Sequence, residues 1–198
     1  MSVPDKARQL LGELNQLDKA VYGAVAKSPT PTLDSGLRRL SDAANYSRIS
    51  GGISVALAVF GGVAGRRAAL RGMVSIGVTS AVLNAAVKPI AQRARPDRDG
   101  ARVPETRQVR MPASHSFPSG HSASAFAFAV GAGHVMPWTI APLIALATAV
   151  AYSRVHTGVH YPGDVIIGSI SGVILAEATN TVADRVRFGN ETGFTSRS

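Results

Sequence analysis

Cysteine is absent from the 198 residues, which removes disulfides, thiolate metal sites and cysteine nucleophiles together; an oxidising compartment does not require disulfides, so location stays open. Charge is scarce as well, at 17% of residues against 45% hydrophobic, which argues against a disordered polyelectrolyte. The 20 Gly and 11 Pro follow no collagen-like or low-complexity period, so a fibrous chain is excluded. Acidic residues are the minority, 12 against 21 Lys plus Arg, giving a net charge of +9 and a pI of about 10.8. Partners or substrates are therefore expected to be anionic: nucleic acid, phospholipid or phosphorylated metabolites. The length fits one domain, or one domain with a short appendage.

The mean hydropathy of +0.13 understates how unevenly the apolar residues are spread. Residues 51–65, 72–87, 122–152 and 165–176 carry no formal charge, and the charges fall between these blocks. About 20 residues are needed to cross roughly 30 Å of hydrocarbon. The first two blocks reach that length only if flanking Arg and Lys side chains snorkel toward the headgroups. Residues 66–71 between them are expected to form a loop. The third block is too long for one helix and is expected to break near Met136, Pro137 and Trp138. Its richness in Gly, Ala and Ser suits close helix packing in lipid, whereas the same glycines would weaken a soluble helix. The expected fold is all-α, a polytopic membrane helix bundle of about five or six spans, with a soluble all-α bundle as the alternative.

Leu10, Leu11, Leu14, Leu17, Val21 and Val25 recur at three- and four-residue steps, the pattern of an amphipathic helix closed by Ser28-Pro29-Thr30-Pro31. Residues 33–47 read as a second amphipathic stretch, and either stretch is expected to lie on the membrane surface or cover one side of the bundle. Residues 1–30 contain Asp, Lys and Glu throughout and no signal-peptide core, so insertion is expected to rely on internal segments. The polar run 184–198 reads as a frayed tail. The organisation is thus a helical region at 1–48, a membrane domain at 49–183 and a tail at 184–198.

Three polar clusters stand at the edges of the apolar blocks, where such residues are costly without purpose. The first contains Lys88 and Arg95, seven apart and on one face if the helix continues to Pro96. Alone it reads as a basic helix end facing lipid phosphates. The second, Pro118-Ser119-Gly120-His121, has the composition of a helix N-terminus whose amides can hold an anion, with an imidazole beside it able to protonate a departing oxygen. Alone it reads as an ordinary capped helix. The third runs from Tyr152 to Asp164 and holds Arg154, His156, His160 and Asp164. The spacing of its two histidines and Asp164 would suit metal ligands on one helix, but Gly158, Pro162 and Gly163 oppose a continuous helix. A histidine backed by a carboxylate is the better reading: Asp164 takes the Nδ1 proton and leaves Nε2 nucleophilic.

The first two clusters flank the loop 96–118, so they share one side of the membrane, and two further helices return the chain to that side at 153–164. Three cations, a helix N-terminus and two histidines then converge. Lys88, Arg95 and Arg154 would neutralise phosphoryl oxygens, with the Ser119 and Gly120 amides as further donors, which is what phosphoryl transfer asks of a protein.

Lys-x6-Arg-Pro at 88–96, Pro-Ser-Gly-His at 118–121 and Ser-Arg-x5-His-x3-Asp at 153–164 together resemble the three-part signature of the type 2 phosphatidic acid phosphatase superfamily, whose relatives include bacterial acid phosphatases and vanadium haloperoxidases. No signature position departs. The stretch from Leu17 to Asp164 also resembles the phosphatase half of actinobacterial proteins fused to a lipid kinase domain. The resemblance implies an integral-membrane lipid phosphate phosphatase, multi-pass in the cell membrane, working without metal or other cofactor and without a nucleic-acid partner. It implies His160 as the nucleophile forming a phosphohistidine, Asp164 as its orienting carboxylate, and His121 as the general acid. Lys88, Arg95, Ser119, Gly120 and Arg154 would bind the phosphoryl group. Expected substrates are phosphatidic acid, phosphatidylglycerol phosphate, polyprenyl (pyro)phosphate or a phosphorylated polyprenyl sugar. The alternatives are a soluble acid phosphatase or haloperoxidase, and a non-catalytic membrane protein that binds anionic lipid.

Overall fold

A computed structural model describes the backbone of residues 3–195 and the side chains of residues 4–186. Among the described residues the structure is helical throughout, with no strand. Helix α1 (Val3–Lys27) and helix α2 (Pro31–Ala43) come first, followed by a short 3₁₀ turn at Asn45–Ser47. Then come α3 (Arg48–Phe60), α4 (Gly62–Val82), which passes through a π-helical turn at Leu83–Val87, and the short α5 (Lys88–Ala91). After a long loop the chain completes α6 (Gly120–Val135), α7 (Ile140–His156) and α8 (Pro162–Thr195).

Helix α6 runs through the middle, packed between α4 and α8, with α7 alongside. Its sequence explains the position. Ala123, Ala127, Ala129 and Ala132 are fully buried and Phe128 nearly so, which makes α6 small on almost every face and lets neighbouring backbones approach. Gly168 of α8 shows why: a Cβ there would meet the Ser119 carbonyl oxygen at 2.5 Å, so only glycine allows α8 to touch the start of α6. Gly131 does the same for α4, where a Cβ would meet Ser75 Oγ at 2.5 Å. Many of the larger apolar residues point outward instead. Val55, Val59 and Phe60 on α3, Leu70 and Val74 on α4, and Ile166, Ile170 and Ile174 on α8 are all exposed, an inside-out distribution that suits a surrounding of lipid.

Among the described residues, three helical stretches are long and apolar enough to cross a membrane: Gly62–Ala91, Pro137–His156 and Pro162–Val186. This is fewer than the five or six spans expected, because α3 with 13 residues and α6 with 16 fall short of the usual length of about 20. The break expected near Met136, Pro137 and Trp138 is present, as a 3₁₀ turn at Pro137–Thr139.

Three local expectations need correction. Residues 66–71 are not a loop but lie inside α4; the chain turns earlier, at Gly61–Gly62, where Gly62 takes φ +59°, and Ala, Leu and Arg are strong helix formers that continue from there. The helix bearing Lys88 does not reach Arg95. Pro89 brings no backbone donor, the ladder loosens into the π turn, and Gln92 at φ +37° ends it. The tail does not fray at residue 184: α8 continues to Thr195, its lower part held by Asp184, which pairs with Arg71 at 2.7 Å and His134 at 2.8 Å. Residues 196–198 lie outside the described residues.

At the other end α1 is amphipathic as expected, but Leu10, Leu11, Leu14 and Leu17 remain exposed. Only its last turns pack inward, through Tyr22 and Ala26 against Val155 and Val165.

Candidate active site

The three polar clusters meet at one end of the bundle. A cavity of about 220 Å³ is lined there by Lys88 and Arg95, by Gly120 and His121 at the start of α6, and by His160. Its deeper walls are apolar: Ile49 and Ile53 of α3, Phe128 of α6, and Leu143 and Leu146 of α7.

Each side chain is placed by local structure. Lys88, directly after the π turn, donates to Asn84 Oδ1 at 2.8 Å. Arg95 lies in the extended segment after α5, anchored by Nε to the Ser114 carbonyl at 2.8 Å and by Nη1 to the Val159 carbonyl at 2.7 Å. The same Nη1 is 3.3 Å from His160 Nε2. A guanidinium only donates, so this contact makes Nε2 the acceptor and leaves the ring proton on Nδ1. Behind the ring, Nδ1 lies 3.4 Å from Asp164 Oδ2. That is ion-pair range rather than a tight bond, because the same oxygen already accepts from the Ser116 hydroxyl and, at 2.9 Å, from the Tyr161 amide. His160 is 2% exposed, and its pKa is lowered to about 4, chiefly by desolvation, with Arg95 and Arg154 adding to the burial against the opposing pull of Asp164. A neutral imidazole with a free Nε2 lone pair is the outcome.

Arg154 stands next to the cavity, fully buried on α7. Its Nη1 donates to the Ser41 hydroxyl at 2.7 Å and the Ser41 carbonyl at 3.0 Å, while Nε and Nη2 are buried with no acceptor. Buried guanidinium donors without acceptors are costly, and an anion is what would satisfy them. Arg95 is itself shifted below its usual range by burial and by Arg98.

Two expected residues sit differently. Ser119 does not line the cavity: its amide donates to the Asp164 carbonyl at 2.9 Å, and its hydroxyl caps α6 by accepting from the Ser122 hydroxyl at 2.9 Å and the Ser122 amide at 3.4 Å. Ser119 thus ties α6 to α8 rather than offering a donor. His156 turns away, because α7 ends there and Gly158 reverses the chain at φ +73°. It lies 3.2 Å from Asp34 Oδ1 and 3.0 Å from Thr30 Oγ1. Arg107 joins the same Asp34 at 2.9 Å and caps the end of α1 through the Ser28 carbonyl at 2.7 Å, so this second cluster fastens the long loop to α1 and α2. Among the described residues no group of three His, Asp or Glu side chains is placed to hold a metal ion.

Several neighbours escaped the sequence reading. Arg93 bridges Asp164 Oδ1 at 2.8 Å and Asp18 Oδ2 at 2.7 Å, and its guanidinium lies 4.2 Å from the Tyr161 ring centroid. Burial lowers its pKa, but the two carboxylates outweigh that and raise it overall. Ser116, Ser41, and Asn45, whose Oδ1 is 3.0 Å from His121 Nε2, were equally hidden. Only Asn84 left a signal, standing four residues before Lys88 on the same helix face.

Apolar helices around a cavity with cations and three imidazoles, His115, His121 and His160, at one end define a membrane-embedded site suited to an anionic group. The chain belongs to the PAP2 superfamily, whose family model matches residues 68–187. It is 35% identical over 106 residues to the decaprenylphosphoryl-5-phosphoribose phosphatase of Mycobacterium tuberculosis strain H37Rv, covering 53% of this chain and 54% of that protein. The match thus spans about half the length of that relative. The protein of the same name from Mycolicibacterium smegmatis is 32% identical over 156 residues, 75% of this chain and 77% of its own. The fold is similar to that of Aquifex aeolicus LpxE, with a TM-score of 0.64 at 23% identity over 83% of this chain and 95% of that one. It is also similar to the first transmembrane PAP2 type phosphatidylglycerolphosphate phosphatase from Bacillus subtilis, with a TM-score of 0.66 at 22% identity over 88% of both.

Proposed function

We propose that the protein is a multi-pass cell-membrane phosphatase that hydrolyses a lipid phosphomonoester through a phosphohistidine. The observation that carries this reading is the state of His160: a buried neutral ring whose Nε2 lone pair faces Arg95 and the cavity while Nδ1 faces Asp164. In the reaction, His160 Nε2 attacks phosphorus, the P–O bond to the lipid alcohol breaks, and His121 gives its proton to the departing oxygen. His121 then takes a proton from water, which attacks phosphorus; the P–N bond breaks and orthophosphate leaves. Lys88, Arg95, Arg154 and the Gly120 amide neutralise the phosphoryl oxygens, and the charge they supply is what lowers the barrier. Substrate displaces the Arg95 contact from Nε2, so the guanidinium that holds the nucleophile at rest becomes a phosphate ligand in the complex.

The apolar walls from Ile49, Ile53, Leu143 and Leu146 favour a substrate with a prenyl or acyl tail over a soluble phosphate ester. The likeness to the mycobacterial decaprenylphosphoryl-5-phosphoribose phosphatases makes a phosphorylated polyprenyl sugar the first substrate to test. Purified protein in detergent is assayed against that compound, phosphatidic acid, phosphatidylglycerol phosphate and a polyprenyl pyrophosphate. Release of phosphate from at least one, with an acid-labile, base-stable phosphoenzyme that vanishes in His160→Ala, supports the reading. Turnover by His160→Ala near that of the parent refutes it.

A further inference from the structure

We infer that Asn45 is a positioning residue for His121, and that the turn joining α2 to α3 is thereby part of the active site. This rests on the assignment of His121 as general acid above. Asn45 is far from every signature segment in sequence, yet its Oδ1 is 3.0 Å from His121 Nε2. An amide oxygen only accepts, so the contact keeps one proton on Nε2 and fixes the ring plane; the proton handed to the leaving oxygen is then the second one, carried on Nδ1 by the imidazolium form once the phosphate dianion is bound beside it.

Two further observations tie the same turn to the site. Four residues earlier, Ser41 holds Arg154 through both its hydroxyl at 2.7 Å and its carbonyl at 3.0 Å. Directly after Asn45, Tyr46 and Ser47 both take left-handed conformations, φ +56° and +54°, although neither is glycine. Such backbone persists only where surrounding contacts over-determine it, and here it turns the chain so that Asn45 faces inward while Ala44, Tyr46 and Ser47 line the cavity mouth. The end of α2 and the turn that follows it therefore aim the proton donor and steady a phosphate-binding cation together.

The test uses leaving groups of unequal need. A lipid alkoxide requires protonation as it departs, whereas p-nitrophenolate leaves unaided, so loss of the general acid slows phosphohistidine formation from an alkyl phosphate far more than from p-nitrophenyl phosphate; hydrolysis of the phosphohistidine is common to both, so the comparison is made on kcat/KM, which reports only the steps through loss of the alcohol. For Asn45→Ala the expected result is a fall in kcat/KM of about 10- to 100-fold on the lipid phosphate, with p-nitrophenyl phosphate changed less than about threefold. His121→Ala is expected to show the same selectivity with a larger loss, and adding Asn45→Ala to it is expected to change nothing further, because the one acts through the other. Asn45→Asp keeps an acceptor oxygen in place; it is expected to restore kcat while raising KM, since the carboxylate repels the phosphate. Equal losses of kcat/KM on both substrates in Asn45→Ala, or additive losses in the double variant, overturn the inference while His121→Ala keeps its selectivity. Failure of His121→Ala itself to discriminate between the substrates overturns the underlying assignment.

Discussion

Replacing Asp164 by Asn removes one charge and almost no volume, and the expected loss follows from geometry. Asp164 is fully buried and accepts from Arg93 on Oδ1 and from Ser116 and Tyr161 on Oδ2, the oxygen 3.4 Å from His160 Nδ1. An amide keeps one acceptor oxygen. It settles with that oxygen toward Ser116, Tyr161 and His160, where three donors wait, and with its NH₂ toward Arg93, which retains Asp18 at 2.7 Å. Ring orientation therefore survives and the charge does not. A unit charge at that separation contributes about 5 kcal/mol at an effective dielectric of about 20, or roughly 10³- to 10⁴-fold in rate when positive charge develops on His160. The stability loss is smaller, about 1–2 kcal/mol, because Arg93 is not left alone. Single-turnover phosphate release and thermal unfolding, measured on the same detergent-purified variant, separate the two effects. Parent-like kcat in Asp164→Asn, or a loss wholly explained by unfolding at the assay temperature, would refute the reasoning.

Four other outcomes are expected. The acid limb of kcat/KM should inflect near His160's lowered pKa of about 4 and not near the ordinary value of about 6.5; an inflection at the latter is incompatible with the buried neutral ring. The same shift makes the folded state bind fewer protons than the unfolded chain between those values, so stability held above about 6.5 is expected to decline as pH falls toward 4, which unfolding titrations over that window would detect. Activity should survive EDTA, since the resident cations supply the charge a metal would; strong loss restored by Mg²⁺ would contradict this. Gly168→Ala should lower activity with α8 forced off Ser119, at about 1–3 kcal/mol of stability, and a parent-like melting temperature and rate would show that the contact yields freely.

The convergence of the three clusters was legible because it depends on helix count alone: a helix that ends and one that begins share a side, and two more helices bring the chain back. The nature of the helices was legible in the charge-free blocks. Their limits were less so. Arg66, Arg67 and Arg71 look like a loop until Gly62 is seen to have turned the chain already, and Pro89 hides how soon the helix after Lys88 ends. The supporting residues were the least legible. Arg93 reaches Asp18, Ser41 reaches Arg154 and Asn45 reaches His121 across gaps of roughly 75 to 113 residues, and no spacing rule links such pairs. A sequence displays the groups that do chemistry by their type; the groups that aim them are ordinary Ser, Asn and Asp, conspicuous only once folded.

The cavity joins a cationic end, at Lys88 and Arg95 beside the neutral His160, to an aliphatic end, at Ile49, Ile53, Leu143 and Leu146. On the function proposed above, a cleaved lipid parts into fragments with opposite solvent preferences. The inorganic ion drains toward water past the guanidinium groups, and the alcohol slides back among hydrocarbon chains. On that reading the two products need not share an exit, and their release asks for no moving gate.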